Sequence, residues 1–106
     1  TIFTFGHTRR MKRLPSMQSL QAFEAAARHQ SYTAAAEEIG LTHGAISHRI
    51  RHLERQLGLT LFRRDGRAML PTRAGVTLLA QVRESLAMLA RAMPDDPEKQ
   101  AGRLVV

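Results

Sequence analysis

The sequence predicts a mainly α-helical fold, in which three helices and a two-stranded β-hairpin form one small domain and a long fourth helix follows. Residues 33–57 contain two helical segments joined by a short turn that includes a glycine. The pair Asp65-Gly66, flanked by apolar runs, predicts the hairpin. Apolar residues at alternating spacings of three and four along residues 72–93 predict the long helix. Together these features are typical of a winged helix-turn-helix followed by a linker helix.

The first helix is expected to begin after Pro15, with Ser16 as its N-cap. The segment Gln30–Tyr32 then interrupts the apolar pattern, and Thr33 restarts it. The apolar positions of the first helix follow the spacing of one helical face: Met17, Leu20, Phe23 and Ala27.

The second and third helices are expected to meet at a tight turn, with Gly40 as C-cap and Thr42 as N-cap. The second helix is small and apolar, so another helix can cross it closely. The third helix buries one face and exposes the other. The predicted buried residues are Ile46, Ile50, Leu53 and Leu57, and the outward ones include Ser47, His48 and Arg51.

A short hairpin is predicted after Gly58, which ends the third helix. Its strands, Leu59–Arg64 and Arg67–Leu70, flank Asp65-Gly66, a dipeptide that favours a type I′ turn. An isolated hairpin of this size is marginally stable, so it is expected to lean on the helices as a wing.

The long helix carries an apolar stripe over three heptads. Thr72 is its expected N-cap, and Pro94-Asp95-Asp96-Pro97 cannot continue it. We expect the stripe to form a homodimer, with packing of the helix onto its own domain as the alternative. The expected dimerisation residues are Leu79, Val82, Leu86, Leu89 and Met93.

The charge of the chain is concentrated around the third helix and the hairpin. The 106 residues carry a net charge of +7 and include no cysteine. Residues 43–67 contain six arginines against Glu54 and Asp65, a balance of +4, whereas residues 14–42 sum to −2. Such localised positive charge favours a polyanionic partner over a merely solvated basic surface. No apolar run approaches the ~20 residues that span a bilayer, so no membrane partner is expected. The stretch Thr1–Phe5 is too short and too polar for a signal peptide, so the expected location is cytoplasmic.

The third helix is expected to enter the major groove of DNA. The side chains of His43, Ser47, His48 and Arg51 can donate to base edges or phosphates, and the Thr42 hydroxyl can cap the helix or donate. Around the hairpin turn, three guanidiniums suit the minor groove or flanking phosphates. They belong to Arg63, Arg64 and Arg67.

Other chemistry finds little support in the sequence. His48 and His52 have the i,i+4 spacing of zinc ligands, but no glutamate follows His48 and there are no thiolates, so no metal site is expected. The serines lack a nucleophile motif and no glycine-rich phosphate loop exists. We therefore expect no cofactor and no enzymatic activity.

Several segments, in order, closely resemble the N-terminal DNA-binding region of LysR-type transcriptional regulators over about Leu14 to Met93. The opening Leu14-Pro15-Ser16-Met17 and the run Phe23–His29 are most similar to the glycine-cleavage-activator subgroup. The segments that carry the resemblance are Leu20–Ala27, Ser31–Ala36, Leu41–Ser47, Ile50–Glu54, Leu57–Arg64 and Pro71–Gly75.

The resemblance implies roles for individual residues. Thr33 matches the N-cap of the helix that precedes the DNA-reading helix, and in the family this cap lies near a phosphate. Arg64 matches the arginine of the wing. Many relatives have Gln in place of His43, and Pro or Ser in place of Gly44, so the base preference is left open. The positions that match the groove-contacting part of the reading helix are Thr42, His43, Gly44, Ser47 and His48.

The resemblance also implies a division of the chain and a function. Residues 1–13 are expected to be a flexible basic lead-in, 14–71 the DNA-binding domain, 72–93 the linker helix, and 94–106 a hinge and the start of an effector-binding domain. Any small-molecule effector would act through that further domain. The expected function is sequence-specific binding of double-stranded DNA at a pseudo-palindromic operator by a homodimer. A winged-helix protein-interaction module and a nonspecific nucleic-acid binder remain the alternatives.

Overall fold

The computed structural model describes residues 13–95, and it confirms the predicted architecture of three helices, a hairpin and a long helix. The expected lead-in and the expected hinge lie outside the described residues, apart from residues 13, 94 and 95. The elements are α1 (Met17–His29), α2 (Tyr32–Ile39), α3 (His43–Leu57), β1 (Phe62–Asp65), β2 (Ala68–Pro71) and α4 (Arg73–Ala92).

Local chemistry at the helix ends sets most of these boundaries as the sequence predicts. Ser16, Thr42 and Thr72 are N-caps, and each side-chain oxygen accepts a hydrogen bond at 3.1 Å from the backbone N–H three residues later. Gly40 and Gly58 end α2 and α3 with φ of +79° and +69°, a left-handed conformation that glycine adopts without steric cost.

The predicted start of α2 at Thr33 is wrong. The N-cap is Ser31, whose backbone is extended and whose hydroxyl accepts from the N–H of Ala34 at 3.0 Å. Tyr32 is the first helical residue, so Thr33 already lies inside the first turn and does not cap the helix. A serine two residues earlier satisfies the free N–H groups that a threonine within the turn cannot reach.

The predicted type I′ turn at Asp65-Gly66 is also wrong. Asp65 pairs with Ala68 across the two strands, which leaves Gly66 and Arg67 as the turn. Gly66 has φ of +64°, whereas Gln30 is the one non-glycine residue of the described chain with positive φ. A positive φ at the first turn position alone is the pattern of a type II′ turn. It spares Arg67 the left-handed conformation, which costs about 1–2 kcal/mol in an L-residue.

The core lies where α1 crosses α2 and α3. Small side chains on α1 and α2, among them Ala26 and Ala35, are fully buried and let the helices approach closely. From α3, Ile46, Ile50 and Leu53 fill the space between them with no exposed surface, as predicted. Leu57, the fourth residue predicted to be buried, is half-buried and packs against this core.

Three aromatic rings attach the hairpin to this core. The ring of Phe62 on β1 lies 5.6 Å from that of Phe23 on α1 and 5.6 Å from that of Tyr32 on α2. Both pairs meet edge to face, a favourable arrangement for aromatic quadrupoles. On the other strand, the N–H of Met69 donates to the carbonyl of Gln30 at 3.0 Å. The hairpin therefore leans on the helices, as its small size requires.

The backbone around Leu61 joins α3, β1 and α4. The N–H of Leu61 donates to a carboxylate oxygen of Glu54 at 2.7 Å, and its carbonyl accepts from the N–H of Thr72 at 2.9 Å. The Thr72 hydroxyl donates to the carbonyl of Thr60 at 2.5 Å. Since Gly75 has no side chain, the first turn of α4 sits directly against the Leu61 carbonyl.

The apolar stripe of α4 is divided between the chain's own core and the solvent. Val82 is 5% exposed and belongs to the core, with Leu79 and Leu86 packed against it and half-buried. Further along the helix, Leu89 and Met93 are 44% and 59% exposed.

A surface cluster of charges links α1 to α2 and α4. Arg28 donates to Glu24 at 2.9 Å and to Glu38 at 2.6 Å, and His29 lies 2.6 Å from Glu38. Arg83 of α4 is 3.7 Å from Glu24. The hydrogen bond from Arg28, followed by that from His29, lowers the pKa of Glu38 to about 2.

Replacing Gly75 by alanine is expected to destabilise the fold. The new Cβ would overlap with the Leu61 carbonyl oxygen and lie 3.2 Å from the Cβ of Pro71, so the backbone must shift. Overpacking of this kind costs about 1–3 kcal/mol in the free energy of unfolding, measurable by urea denaturation. Gly44→Ala is the control, because its Cβ meets nothing closer than 4.0 Å. That control should be as stable as the parent or more so by up to about 1 kcal/mol, and equal stability of both variants would contradict the close approach.

Acid is expected to weaken the contacts of Glu38. Its pKa in the folded chain lies near 2 and below its ordinary value of 4.5, so its stabilising effect is complete above pH 4.5 and is lost as the pH falls toward 2. Thermal unfolding followed between pH 6 and 2 should show a smaller loss of Tm for Glu38→Gln than for the parent. Glu37→Gln, at a neighbouring exposed carboxylate, should behave like the parent. Parallel Tm profiles for parent and Glu38→Gln would refute the coupling.

Candidate nucleic-acid interface

One face of α3 is exposed and rich in hydrogen-bond donors; we call it the reading face. It lies opposite the buried stripe of Ile46, Ile50 and Leu53, as the helical period dictates. All its members are exposed except Ser47, which is half-buried. They are His43, Gly44, Ser47, His48 and Arg51, so the structure brings the predicted residues of this helix together.

A hydrogen bond on the reading face restrains its arginine. Nη1 of Arg51 donates to Oγ of Ser47 at 3.0 Å, one turn earlier on the helix. A guanidinium has five N–H donors, so this bond leaves others for a bidentate contact. The Ser47 hydroxyl, which accepts this bond, retains its own proton to donate. The two side chains therefore present donors in a fixed relation.

The N-terminal end of α3 is open to an approaching partner. The Thr42 hydroxyl accepts from the N–H of Ala45, which leaves its own O–H group as a donor at the surface. Beside it, the nearest atom to a Cβ built on Gly44 would be Oγ1 of Thr42, 4.0 Å away. The backbone at this end carries the partial positive charge of a helix N-terminus, which favours an anion nearby.

Tyr32 supports the reading face, and the sequence analysis missed it. Its ring lies 5.8 Å from that of His43 and packs on Phe62. Burial, followed by the charge of Glu54, raises the pKa of Tyr32 to about 12, while Arg51 and Arg64 act in the opposite direction. The phenol therefore stays protonated, and these two arginines lie close enough to influence the same hydroxyl. The sequence offered one indication, an aromatic residue directly after the serine that caps α2.

The hairpin tip presents the three arginines predicted for the wing. Arg63, Arg64 and Arg67 are all exposed, whereas Phe62 at the start of β1 is buried and anchors the strand. Successive strand residues point to opposite faces, so Arg63 and Arg64 leave the hairpin on different sides. Asp65 is exposed among them.

One of the two acids in the basic segment is turned away from the solvent face of α3. Glu54 is half-buried and accepts a hydrogen bond from the backbone of Leu61. Its carboxylate therefore serves the junction between α3 and β1, and the cations of the reading face are left with less nearby negative charge.

Thr33 lies apart from the reading face. It is exposed in the first turn of α2, on a different helix, and its predicted proximity to phosphate stays a prediction.

The described residues offer neither a metal site nor a membrane span. Within residues 13–95, no three His, Cys, Asp or Glu side chains are grouped so as to hold a metal ion. Among the helices of that same range, none is both long and apolar enough to cross a membrane.

The sequence and the fold match a known family of proteins. Residues 17–76 match the family model described as bacterial regulatory helix-turn-helix protein, lysR family. The chain belongs to the LysR family. This confirms the resemblance found in the sequence.

One curated relative of this LysR-family chain is the glycine cleavage system transcriptional activator of Escherichia coli (strain K12). It is 47% identical over 81 residues, which cover 76% of the chain and 27% of the relative. The chain thus spans about a quarter of the length of this relative.

Two solved structures resemble the LysR-family chain over 73% of its length. A crystal structure of a BenM_DBD/catB site 1 DNA complex has a TM-score of 0.69 at 26% identity, and covers 73% of this chain and 83% of that one. A crystal structure of full-length CbnR complexed with the target DNA has a TM-score of 0.68 at 28% identity, and covers 73% of this chain and 27% of that one.

Proposed function

We propose that this LysR-family chain binds double-stranded DNA sequence-specifically, as the DNA-binding part of a dimeric bacterial transcriptional regulator. The observation that carries the proposal is the reading face, an exposed row of hydrogen-bond donors on a helix whose opposite side is buried in the core. The similar BenM_DBD and CbnR structures are of DNA complexes, and the Escherichia coli relative is named a transcriptional activator. In this proposal residues 14–71 bind DNA and residues 72–93 link the two copies.

The mechanism begins with insertion of α3 into the major groove. Arg51, restrained by Ser47, is suited to bidentate contact with a guanine, the commonest specific contact of this kind. His43 and His48 flank this pair and donate to neighbouring base edges or phosphates. Thr42 and the open backbone at Gly44 lie where the helix N-terminus meets the phosphate chain.

The wing adds contacts on either side of the groove. Arg63, Arg64 and Arg67 carry positive charge at a protruding tip, where the narrow minor groove or flanking phosphates would attract them. Thr33, exposed at the start of α2, is the further candidate for phosphate contact.

Dimerisation is proposed to use the exposed end of the α4 stripe. Leu89 and Met93 line an apolar groove with Met17 of α1, and the half-buried Leu79 and Leu86 extend the stripe toward the core. Val82 was predicted to meet the second copy, but its side chain already fills the chain's own core, so we leave it out of the proposed contact. A twofold pair of reading faces would fit two half-sites of a pseudo-palindrome.

The remaining properties follow from this role. The name of the relative is that of a regulator, which favours a binding function over an enzymatic one. A bacterial protein that regulates transcription works where the chromosome is, so we propose a cytoplasmic location. Response to a small-molecule effector would belong to a part of the protein beyond the residues described.

Selection of binding sites from random duplexes, followed by titration of variants, tests the reading face. Ser47→Ala and His48→Ala should weaken binding to the selected operator by about 1–3 kcal/mol each, or roughly 10-fold or more, because each removes a donor to base edges. Binding to random duplexes should change less. Ser85→Ala, an exposed serine on α4, is the control and should leave both affinities unchanged.

The same experiment decides between the alternatives. Equal losses on operator and random DNA, or failure of the selection to enrich any sequence, would identify a nonspecific binder that depends on charge alone. No binding to any duplex at low salt would favour a protein-interaction module.

Sedimentation equilibrium tests the dimer contact. The double change Leu89→Glu and Met93→Glu places charges on the exposed stripe and should give monomers, while the midpoint of thermal unfolding stays close to that of the parent. Thr77→Glu adds a charge to an exposed position on the opposite face of α4 and should leave the dimer intact. Dimers that persist in the double variant at micromolar concentration would refute the contact.

A further inference from the structure

A groove runs between the start of α1 and the flank of α3, beside the reading face; we call it the α1–α3 groove. Two adjoining depressions form it, and Ser16 and His52 line both. The first is also lined by His48 and Arg49, and the second by Arg55.

The lining of the α1–α3 groove is cationic. Arg13 and Arg55 stand at one end and Arg49 near the other, with His48 and His52 between them on α3. Neutral polar groups from α1, those of Ser16, Gln18 and Ser19, face them. None of the side chains that line either depression is a carboxylate. The groove is therefore a concentration of donors without an internal counter-charge.

Two contacts hold this arrangement in place. The side-chain amide of Gln56 donates to the carbonyl of Arg13 at 3.3 Å, which fixes the chain before α1 alongside α3. The Ser16 hydroxyl caps α1 through the N–H of Ser19 and donates to the Ser19 hydroxyl at 3.1 Å. Arg49 is half-buried, so its stem has limited freedom.

The position of the groove points to a partner. A helix about 10–12 Å across nearly fills a major groove about 12 Å wide, so its flanks face the phosphates on either side. One flank of α3, next to the reading face, is the wall of the α1–α3 groove. We infer that the α1–α3 groove binds a backbone phosphate of the operator and that His52 couples this contact to protonation. The inference rests on the proposed function, because it assigns a further part of the same DNA complex.

The chemistry of the groove fits a phosphate. Guanidinium, imidazolium, hydroxyl and amide groups all donate to phosphate oxygens, and charge-assisted bonds are the stronger ones. An imidazole commonly changes its charge between pH 5 and 8, and a bound phosphate stabilises the protonated form. Binding is therefore accompanied by proton uptake, and affinity rises as the pH falls.

Titration of the chain with a selected operator duplex at several salt concentrations tests the phosphate contact. Arg49→Ala should weaken binding to operator and random duplexes alike and reduce the slope of log K against log salt by about 0.9, the value for one phosphate contact. Arg91→Ala removes the same charge from an exposed position on the last turn of α4 and should leave the slope unchanged. Circular dichroism melting confirms that both variants fold. An unchanged slope for folded Arg49→Ala overturns the inference.

Neutral methylphosphonate, placed at one backbone position of the operator at a time, locates the contact. At one position in each half-site, the neutral linkage should lower the affinity of the parent several-fold. The same linkage should leave the affinity of Arg49→Ala unchanged, because that variant no longer makes the contact. Equal sensitivity of parent and variant at every position overturns the assignment to the groove.

The dependence on pH tests the histidine. Parent affinity should rise several-fold from pH 8 to pH 6, and His52→Gln, which keeps a donor but does not titrate, should lose much of that rise. Identical pH profiles overturn the role of His52. If the parent binds no selected duplex at all, the proposed function itself fails. That outcome differs from an unchanged salt slope, an unchanged methylphosphonate sensitivity or an unchanged pH profile, which overturn only the inference about the groove.

Discussion

The backbone of Leu61 holds the reading helix, the hairpin and the long helix in one frame. Its N–H donates to the carboxylate of Glu54 on α3, and its carbonyl accepts from the N–H of Thr72, the residue just before α4. Its side chain is fully buried. Gly75 lets α4 approach that carbonyl without an intervening methyl group. Since these are backbone contacts on a buried residue, the directions of α3, the wing and α4 are set together, and a dimer formed through α4 would fix the separation of two reading faces.

Acidic and basic side chains lie on different parts of the molecule. The carboxylates of Glu24 and Glu38 are paired with Arg28 on the surface of α1 and α2, and the carboxylate of Glu54 is drawn into the junction at Leu61. The cations of α3 and the hairpin are consequently left facing outward. Exposed ion pairs such as those of Arg28 contribute little to stability. Their carboxylates lie on α1 and α2, away from the reading face, so a polyanion that approaches α3 meets less repulsion from them.

The sequence predicted the features that depend on local chemistry. The caps at Ser16, Thr42 and Thr72 and the apolar face of α3 follow from residues a few positions apart. Two predictions were wrong where neighbouring residues offered alternatives. Ser31 rather than Thr33 caps α2, and the pairing of Asp65 with Ala68 places the turn at Gly66 and Arg67. The role of Tyr32 and the burial of Val82 depend on residues distant in sequence, so no periodic pattern could reveal them.

On α3, the side chains that fold the domain and those that face outward are separate sets. Ile46, Ile50 and Leu53 fill the core, while Arg51 donates a hydrogen bond to Ser47 on the outward side of the helix. A change at Ser47, His48 or Arg51 therefore leaves these three core side chains in place. If α3 reads DNA as proposed, a duplicated copy of the domain could acquire a new operator sequence through single substitutions on this face, with no compensating change in the interior. The architecture separates the evolution of specificity from the maintenance of the fold.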